Sequence, residues 1–210
     1  VVSLITPWNF PWAIPCWKVG PAHVAGNTIV MKPSPFTPRT AFLLAEIFAE
    51  AGLPSGVFNL VHGDVDVGQS FVLDRRVKAI SFTGSTGVGW RVFTQAISRG
   101  LSRVQCEMGG KNAAVIMPDA DFNRAVPAII QGAFGSAGQR CTATSLLIVV
   151  NGPRSDELIN RVVAGANSLK VGPGMEDGGQ MGPLVTPEHR NRVARMVEEA
   201  LGLGASLLTK

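Results

Sequence analysis

An open, doubly wound α/β fold is what this 210-residue sequence predicts, on three observations. Short apolar runs of strand length alternate with stretches of helix length along the chain. One strand-like run, Val77 to Thr83, passes into the glycine cluster Gly84-Ser85-Thr86-Gly87-Val88-Gly89 ahead of a helical stretch, an order that sets backbone N–H groups against an anion. Another, Asn27 to Lys32, emerges into Lys32-Pro33-Ser34-Pro35, and ligands of open α/β sheets sit at the carboxyl ends of strands.

Taken in order, Val1 to Thr6 reads as a buried strand stopped by Pro7. Trp12 to Val24 reads as a helix interrupted by Pro15 and Pro21, and Arg39 to Ala51 as a helix ended by Gly52 and Pro54. Val57 to Val61 is a third strand, Trp90 to Ser98 a helix after the glycine cluster, and Ser102 to Met108 and Asn112 to Met117 further strands. Asp119 and Asp121 open a helix whose acidic first turn complements its dipole. Ser145 to Val150 is a strand, and Ser155 to Leu169 and Pro187 to Leu203 carry apolar residues at helical spacing.

Composition narrows the function. With 46% hydrophobic and 16% charged residues, the chain can build one large domain or parts of two without disulfides. Cys16, Cys106 and Cys141 are widely spaced with no CxxC pair, which indicates neither a disulfide framework nor a zinc site and fits a reducing, cytoplasmic setting. The net charge of +4 is scattered, so no nucleic-acid surface is suggested, and an anionic cofactor or substrate fits as well. No apolar run reaches the roughly 18 residues that a spanning helix needs. The chain opens directly on a strand-like run at Val1, and a piece of a longer protein is expected.

Three residues stand out chemically. Cys141 lies in QGAFGSAGQRCTATS among small residues, where a substrate fits and where backbone N–H groups and Arg140 favour thiolate; a packed structural cysteine is the other reading. Asn9 is held between Pro7 and Pro11, either as a rigid amide donor for an oxyanion or as an Asn closing its own turn. Glu107 sits between an apolar strand and Gly109-Gly110, where partial desolvation suits a general base, unless it pairs with Lys111 at the surface. The three histidines show no triad or metal spacing.

Taken together, ITPWNFP at 5–11, MKPS at 31–34, SFTGSTGVG at 81–89, EMGGKN at 107–112 and GQRCTA at 138–143 resemble the aldehyde dehydrogenase superfamily. The resemblance covers the whole chain but only the middle of a family subunit. It implies NAD(P)-dependent oxidation of an aldehyde to a carboxylic acid, with Cys141 forming a thiohemiacetal and then a thioester, and Glu107 activating the hydrolytic water. CoA-acylating relatives generally lack that carboxylate. Asn9 matches the side-chain amide of the oxyanion site, and Lys18, with Trp17 near the substrate tunnel, falls on a proposed proton path. Lys32 and Ser34 match the adenosine side of the cofactor site and Gly84 with Ser85 its pyrophosphate turn. Thr6, Pro7, Trp8, Gly63, Gly68, Phe82, Val88, Met108 and Gly109 correspond to its lining.

The same resemblance divides the chain into part of a Rossmann-like cofactor-binding domain, 1–109, and the N-terminal part of an α/β catalytic domain, 110–210. It implies a homo-oligomer in the full-length form, and neither metal, membrane nor nucleic-acid partner. The branch it approaches most nearly oxidises 2-oxoglutarate semialdehyde, with Arg140 either contacting the substrate carboxylate or serving as a scaffold cation. Pro35 stands where many NAD-preferring relatives carry Glu, so NADP is expected to be accepted at least as well as NAD.

Overall fold

A computed structural model of the protein describes residues 1–209. The chain forms two compact units that meet in sequence at Gly109 and Gly110.

The first unit is built on five strands, β1 (Val2–Ile5), β2 (Ile29–Lys32), β3 (Phe58–Leu60), β4 (Ala79–Gly84) and β5 (Val104–Met108), in the order β3-β2-β1-β4-β5. Every pairing is parallel. The crossovers are helices α1 (Ala13–Val24), α2 (Pro38–Glu50), α3 (Val65–Leu73) and α4 (Thr86–Ser98). Strand side chains alternate between faces, and the sequence supplies apolar groups to both. Leu4, Ile29 and Met31 pack with Val19 of α1 and Ala41 and Leu44 of α2. Ile5, Ile80 and Phe82 pack on the other side with Val72 of α3 and Val92 and Ala96 of α4. A sheet buried on both faces reads as near-continuous apolar runs, which is why β1 and β2 were visible in the sequence.

Three elements differ from expectation. The α3 helix falls in a stretch where the sequence suggested no element, because Gly68 interrupts its apolar pattern. A Cβ at Gly68 would lie 3.6 Å from the Lys32 side chain, an ordinary van der Waals contact. Helix α4 starts at Thr86 instead of Trp90, taking Gly87 and Gly89 into the helix. A Cβ on Gly89 would sit 2.5 Å from the Met108 sulfur and 3.2 Å from the Phe82 ring, so this glycine lets α4 lie directly on β4 and β5. Helix α1 runs through both prolines without a break. Pro15 occupies the first turn, where N–H groups have no helical acceptor, and Pro21 removes one bond, that to the Trp17 carbonyl.

In the second unit β6 (Asn112–Ile116) pairs in parallel with β7 (Thr144–Val149), and α5 (Phe122–Phe134) makes the crossover. Asp121 caps α5 by accepting the Asn123 N–H at 2.9 Å. Phe122, Val126 and Ile129 of α5 form a core with Leu158 of α6 (Ser155–Asn167). The Arg154 guanidinium lies 4.1 Å above the Phe122 ring. Helix α7 (Pro187–Gly202), capped by Thr186, ends the ordered elements. No helix among the described residues is long and apolar enough to cross a membrane.

Candidate active site

A cleft of about 330 Å³ opens at the carboxyl edge of the five-stranded sheet. It lies where the winding reverses, since β2 lies on one side of β1 and β4 on the other. The end of β1 brings Thr6, Pro7 and Trp8 to it, and the end of β2 brings Lys32, Ser34 and Pro35. The β4–α4 turn contributes Phe82, Gly84, Ser85 and Val88, and α3 contributes Gly68. Three expected lining residues are not in its wall. Gly63 acts through its carbonyl, which accepts from Lys32, and a Cβ there would overlap Val67. Met108 instead supports Gly89, and Gly109 follows the end of β5. Asp64, Gln69 and Arg91 line the cleft without having been singled out in the sequence.

The polar groups of the cleft are suited to a dinucleotide. Lys32 is 7% exposed, and its Nζ donates to the carbonyls of Pro33 at 2.8 Å and Gly63 at 3.1 Å. That leaves one of three ammonium protons for an anion. Burial pushes the Lys32 pKa down, and the Asp64 carboxylate offsets part of that. Ser34 is buried, its Oγ accepting the Phe36 N–H at 3.3 Å. Thr6 Oγ1 is buried with no hydrogen-bond partner among the described residues. Such an orphaned hydroxyl in a cleft wall is satisfied when a polar ligand binds. Ser85 precedes α4 in extended conformation with no side-chain cap bond, so the first N–H groups of α4 have no capping side chain.

On the sheet face covered by α1 a second group of residues assembles. Asn9 is half-buried in the loop between β1 and α1. Lys18 projects from α1, and its Nζ donates to Ser81 Oγ at 2.6 Å. Burial pushes the Lys18 pKa down, while Glu107 and Cys106 pull it up. Glu107 is on β5, where the partial desolvation expected of it is absent: the residue is exposed, because it faces away from the α3/α4 core that Cys106 and Met108 join. Its Oε1 accepts from Gln105 Nε2 at 3.3 Å. Trp17 is 68% exposed on α1.

Cys141 belongs to the second unit, between a turn at Gly135–Gly138 and β7, and is exposed while Cys16 and Cys106 are half-buried. Asn112 Nδ2 donates to the carbonyls of Cys141 at 2.7 Å and Ala143 at 3.1 Å, pinning the cysteine backbone to the first residue of β6. The sequence marked Asn112 only as part of a motif; a lone amide at a strand start gives no local sign of its partner. Arg140 does not present a free guanidinium to a substrate. Its Nε donates to Gly135 O at 3.1 Å and its Nη2 to Gln131 O at 2.6 Å, tying the Cys141 segment back to the end of α5. Of its two readings, the scaffold cation is the one the geometry supports. Gln139 extends the brace, donating to Ser136 O at 3.2 Å and accepting the Val185 N–H at 2.9 Å. Among the described residues no cluster of His, Cys, Asp and Glu is arranged to hold a metal ion.

The strand order, the helices on both faces and the cleft at the switch point define a Rossmann-like α/β protein. The chain belongs to the aldehyde dehydrogenase family, whose profile matches residues 1–210. It is 48% identical over 208 residues to malonate-semialdehyde dehydrogenase 2 of Geobacillus kaustophilus (strain HTA426), covering 99% of this chain and 43% of that one. A solved methylmalonate-semialdehyde dehydrogenase from Oceanimonas doudoroffii superposes with a TM-score of 0.94 at 40% identity, over 98% of this chain and 42% of the other. An aldehyde dehydrogenase from Bacillus cereus in complex with NAD+ gives 0.95 at 36% identity, over 99% and 42%. The chain thus spans less than half the length of the curated relatives it matches.

Proposed function

We propose that the protein containing this chain oxidises a short, carboxylated aldehyde to the acid with a nicotinamide dinucleotide. The observation carrying this reading is the exposed Cys141 on a backbone held by Asn112 and braced by Arg140, in a chain whose other cysteines are half-buried. Cys141 adds to the aldehyde carbon, and the Asn9 amide with the Cys141 N–H receives the oxyanion. A nicotinamide dinucleotide bound in the cleft would supply the hydride acceptor that lets the Cys141 adduct become an acyl thioester. Thr6, Lys32 and Ser34 with the α4 N-terminus would hold its phosphates and ribose. Glu107 takes a proton from water, the resulting hydroxide adds to the thioester carbon, and the C–S bond breaks to return the thiolate and the free acid.

The substrate class rests on two supports. The sequence motifs approach the 2-oxoglutarate semialdehyde branch, and the named relatives act on malonate and methylmalonate semialdehydes. Common to all is a carboxylate on a short aldehyde. Malonate semialdehyde and 2-oxoglutarate semialdehyde should each give kcat/KM at least about tenfold above an uncharged aldehyde of similar length. Equal values for charged and uncharged substrates would refute the class.

Cofactor choice is assigned to Pro35. Without a carboxylate at this position the ribose loses an acceptor and a 2′-phosphate meets no like charge, so NADP is accepted at least as well as NAD. Pro35→Glu should move the kcat/KM ratio toward NAD by roughly tenfold, and the same shift should appear in dissociation constants from fluorescence titration. A wild type strongly selective for NAD, or an unmoved ratio in the variant, would remove Pro35 from this role.

A further inference from the structure

Three hydrogen bonds run in series across the α1-covered face of the sheet. Lys18 Nζ donates to Ser81 Oγ at 2.6 Å, Ser81 Oγ to Gln105 Oε1 at 3.0 Å, and Gln105 Nε2 to Glu107 Oε1 at 3.3 Å. The fold produces this series directly. In the parallel pairing of β4 with β5, Ser81 is opposite Gln105 and Thr83 opposite Glu107, and strand periodicity turns all four toward the same face. Ile80, Phe82, Cys106 and Met108, the alternate residues, enter the opposite core. Lys18 reaches the series from α1.

The polarity of the series is fixed at one end. A protonated lysine has only donors, so Ser81 must accept from it and has its own proton left to give. That proton needs an oxygen, which turns the Gln105 carbonyl toward Ser81 and its NH2 toward Glu107. An ionised carboxylate accepts that N–H through either oxygen; a protonated carboxyl facing an amide donor gains less from the contact. The Gln105 link also limits what the series does. An amide passes on a proton only by becoming the imidic acid, so this series orients Glu107 and does not conduct its proton to Lys18.

We propose that Gln105 is a positioning residue for the deacylation step, holding one oxygen of Glu107 as an acceptor and leaving the other for the hydrolytic water, with Ser81 and Lys18 setting the direction of the amide. This rests on the reading of Glu107 as general base. Nothing in the local sequence gave a sign of it, because Ser81 and Gln105 are 24 residues apart and lie on different strands.

The test is pre-steady-state kinetics of the full-length protein, in which the burst of reduced nicotinamide counts folded, acylating sites and the later linear phase reports deacylation. Gln105→Leu should keep the burst and slow the linear phase roughly tenfold, the cost of one hydrogen bond to a charged group. Gln105→Glu, nearly isosteric, should slow it at least as much, because it offers a second carboxylate in place of a donor. Ser81→Ala should slow it a few-fold, roughly the value of a neutral hydrogen bond, and Ser81→Thr should restore it. In a Glu107→Gln background, Gln105→Leu should add no further loss. A linear phase unchanged in Gln105→Leu and Gln105→Glu, with Glu107→Gln slow, would overturn the positioning role alone. Fast deacylation in Glu107→Gln itself would overturn the base assignment and this inference with it.

Discussion

Cys141→Ala is expected to abolish aldehyde oxidation, with a loss of at least about 10⁴-fold of the kind that follows removal of a covalent nucleophile. The fold should survive, because the structure holds this residue by its backbone: Asn112 bonds the Cys141 carbonyl, and no core cluster includes the thiol. Cys16→Ala and Cys106→Ala should retain turnover. Burial pushes both of those thiols up in pKa, and Cys106 donates to Gly89 O at 3.5 Å within the α4 contact. Mass spectrometry of the acid-quenched protein after a single exposure to aldehyde and cofactor should place the acyl group on the peptide containing Cys141. Turnover by the alanine variant, or an adduct on another peptide, would displace Cys141 as nucleophile.

Glu107→Gln should separate the two halves of the reaction. Water is consumed only after the hydride has left, so the variant should release a full burst of reduced nicotinamide and then turn over roughly 10²-fold more slowly, the usual loss for a missing general base. Glutamine keeps the size of the side chain and can still meet Gln105, so the change removes basicity with little change of shape. Steady turnover at the wild-type rate would require another base.

Much of this arrangement was legible in the sequence because its signals are local. The strands β1 and β2 declare themselves as β-branched runs closed by proline, the β4–α4 turn by its glycines, and Cys141 by the small residues around it. What escaped depends on contacts between distant residues. Gly89 read as part of a glycine turn, but it is a helical residue whose missing side chain leaves room for Met108 and Phe82. Arg140 read either as a substrate contact or as a scaffold cation because it adjoins the nucleophile, and only the course of the backbone brings the Gly135 and Gln131 carbonyls to its guanidinium. Glu107 read as partly desolvated because its strand is apolar, or else as paired with Lys111 at the surface. Its side chain alternates to the other face, where Gln105 meets it.

The turn ahead of the nucleophile carries one more consequence. Ser136 and Ala137 both have φ of 55°, and Gly138 follows at 69°, so the chain makes a short left-handed helical turn in which two of three residues bear a Cβ. Left-handed backbone costs an L-residue about 1–2 kcal/mol. Glycine at 136 or 137 would relieve that cost in the folded chain, yet it would also widen the unfolded ensemble and loosen the segment that delivers Cys141. Valine or isoleucine would be excluded at both positions, because a branched Cβ meets the following carbonyl. The permitted alphabet at 136 and 137 is therefore set by handedness alone and falls to glycine, asparagine, aspartate and the smallest side chains, so divergence of this segment is limited by chirality before any question of chemistry at the thiol arises.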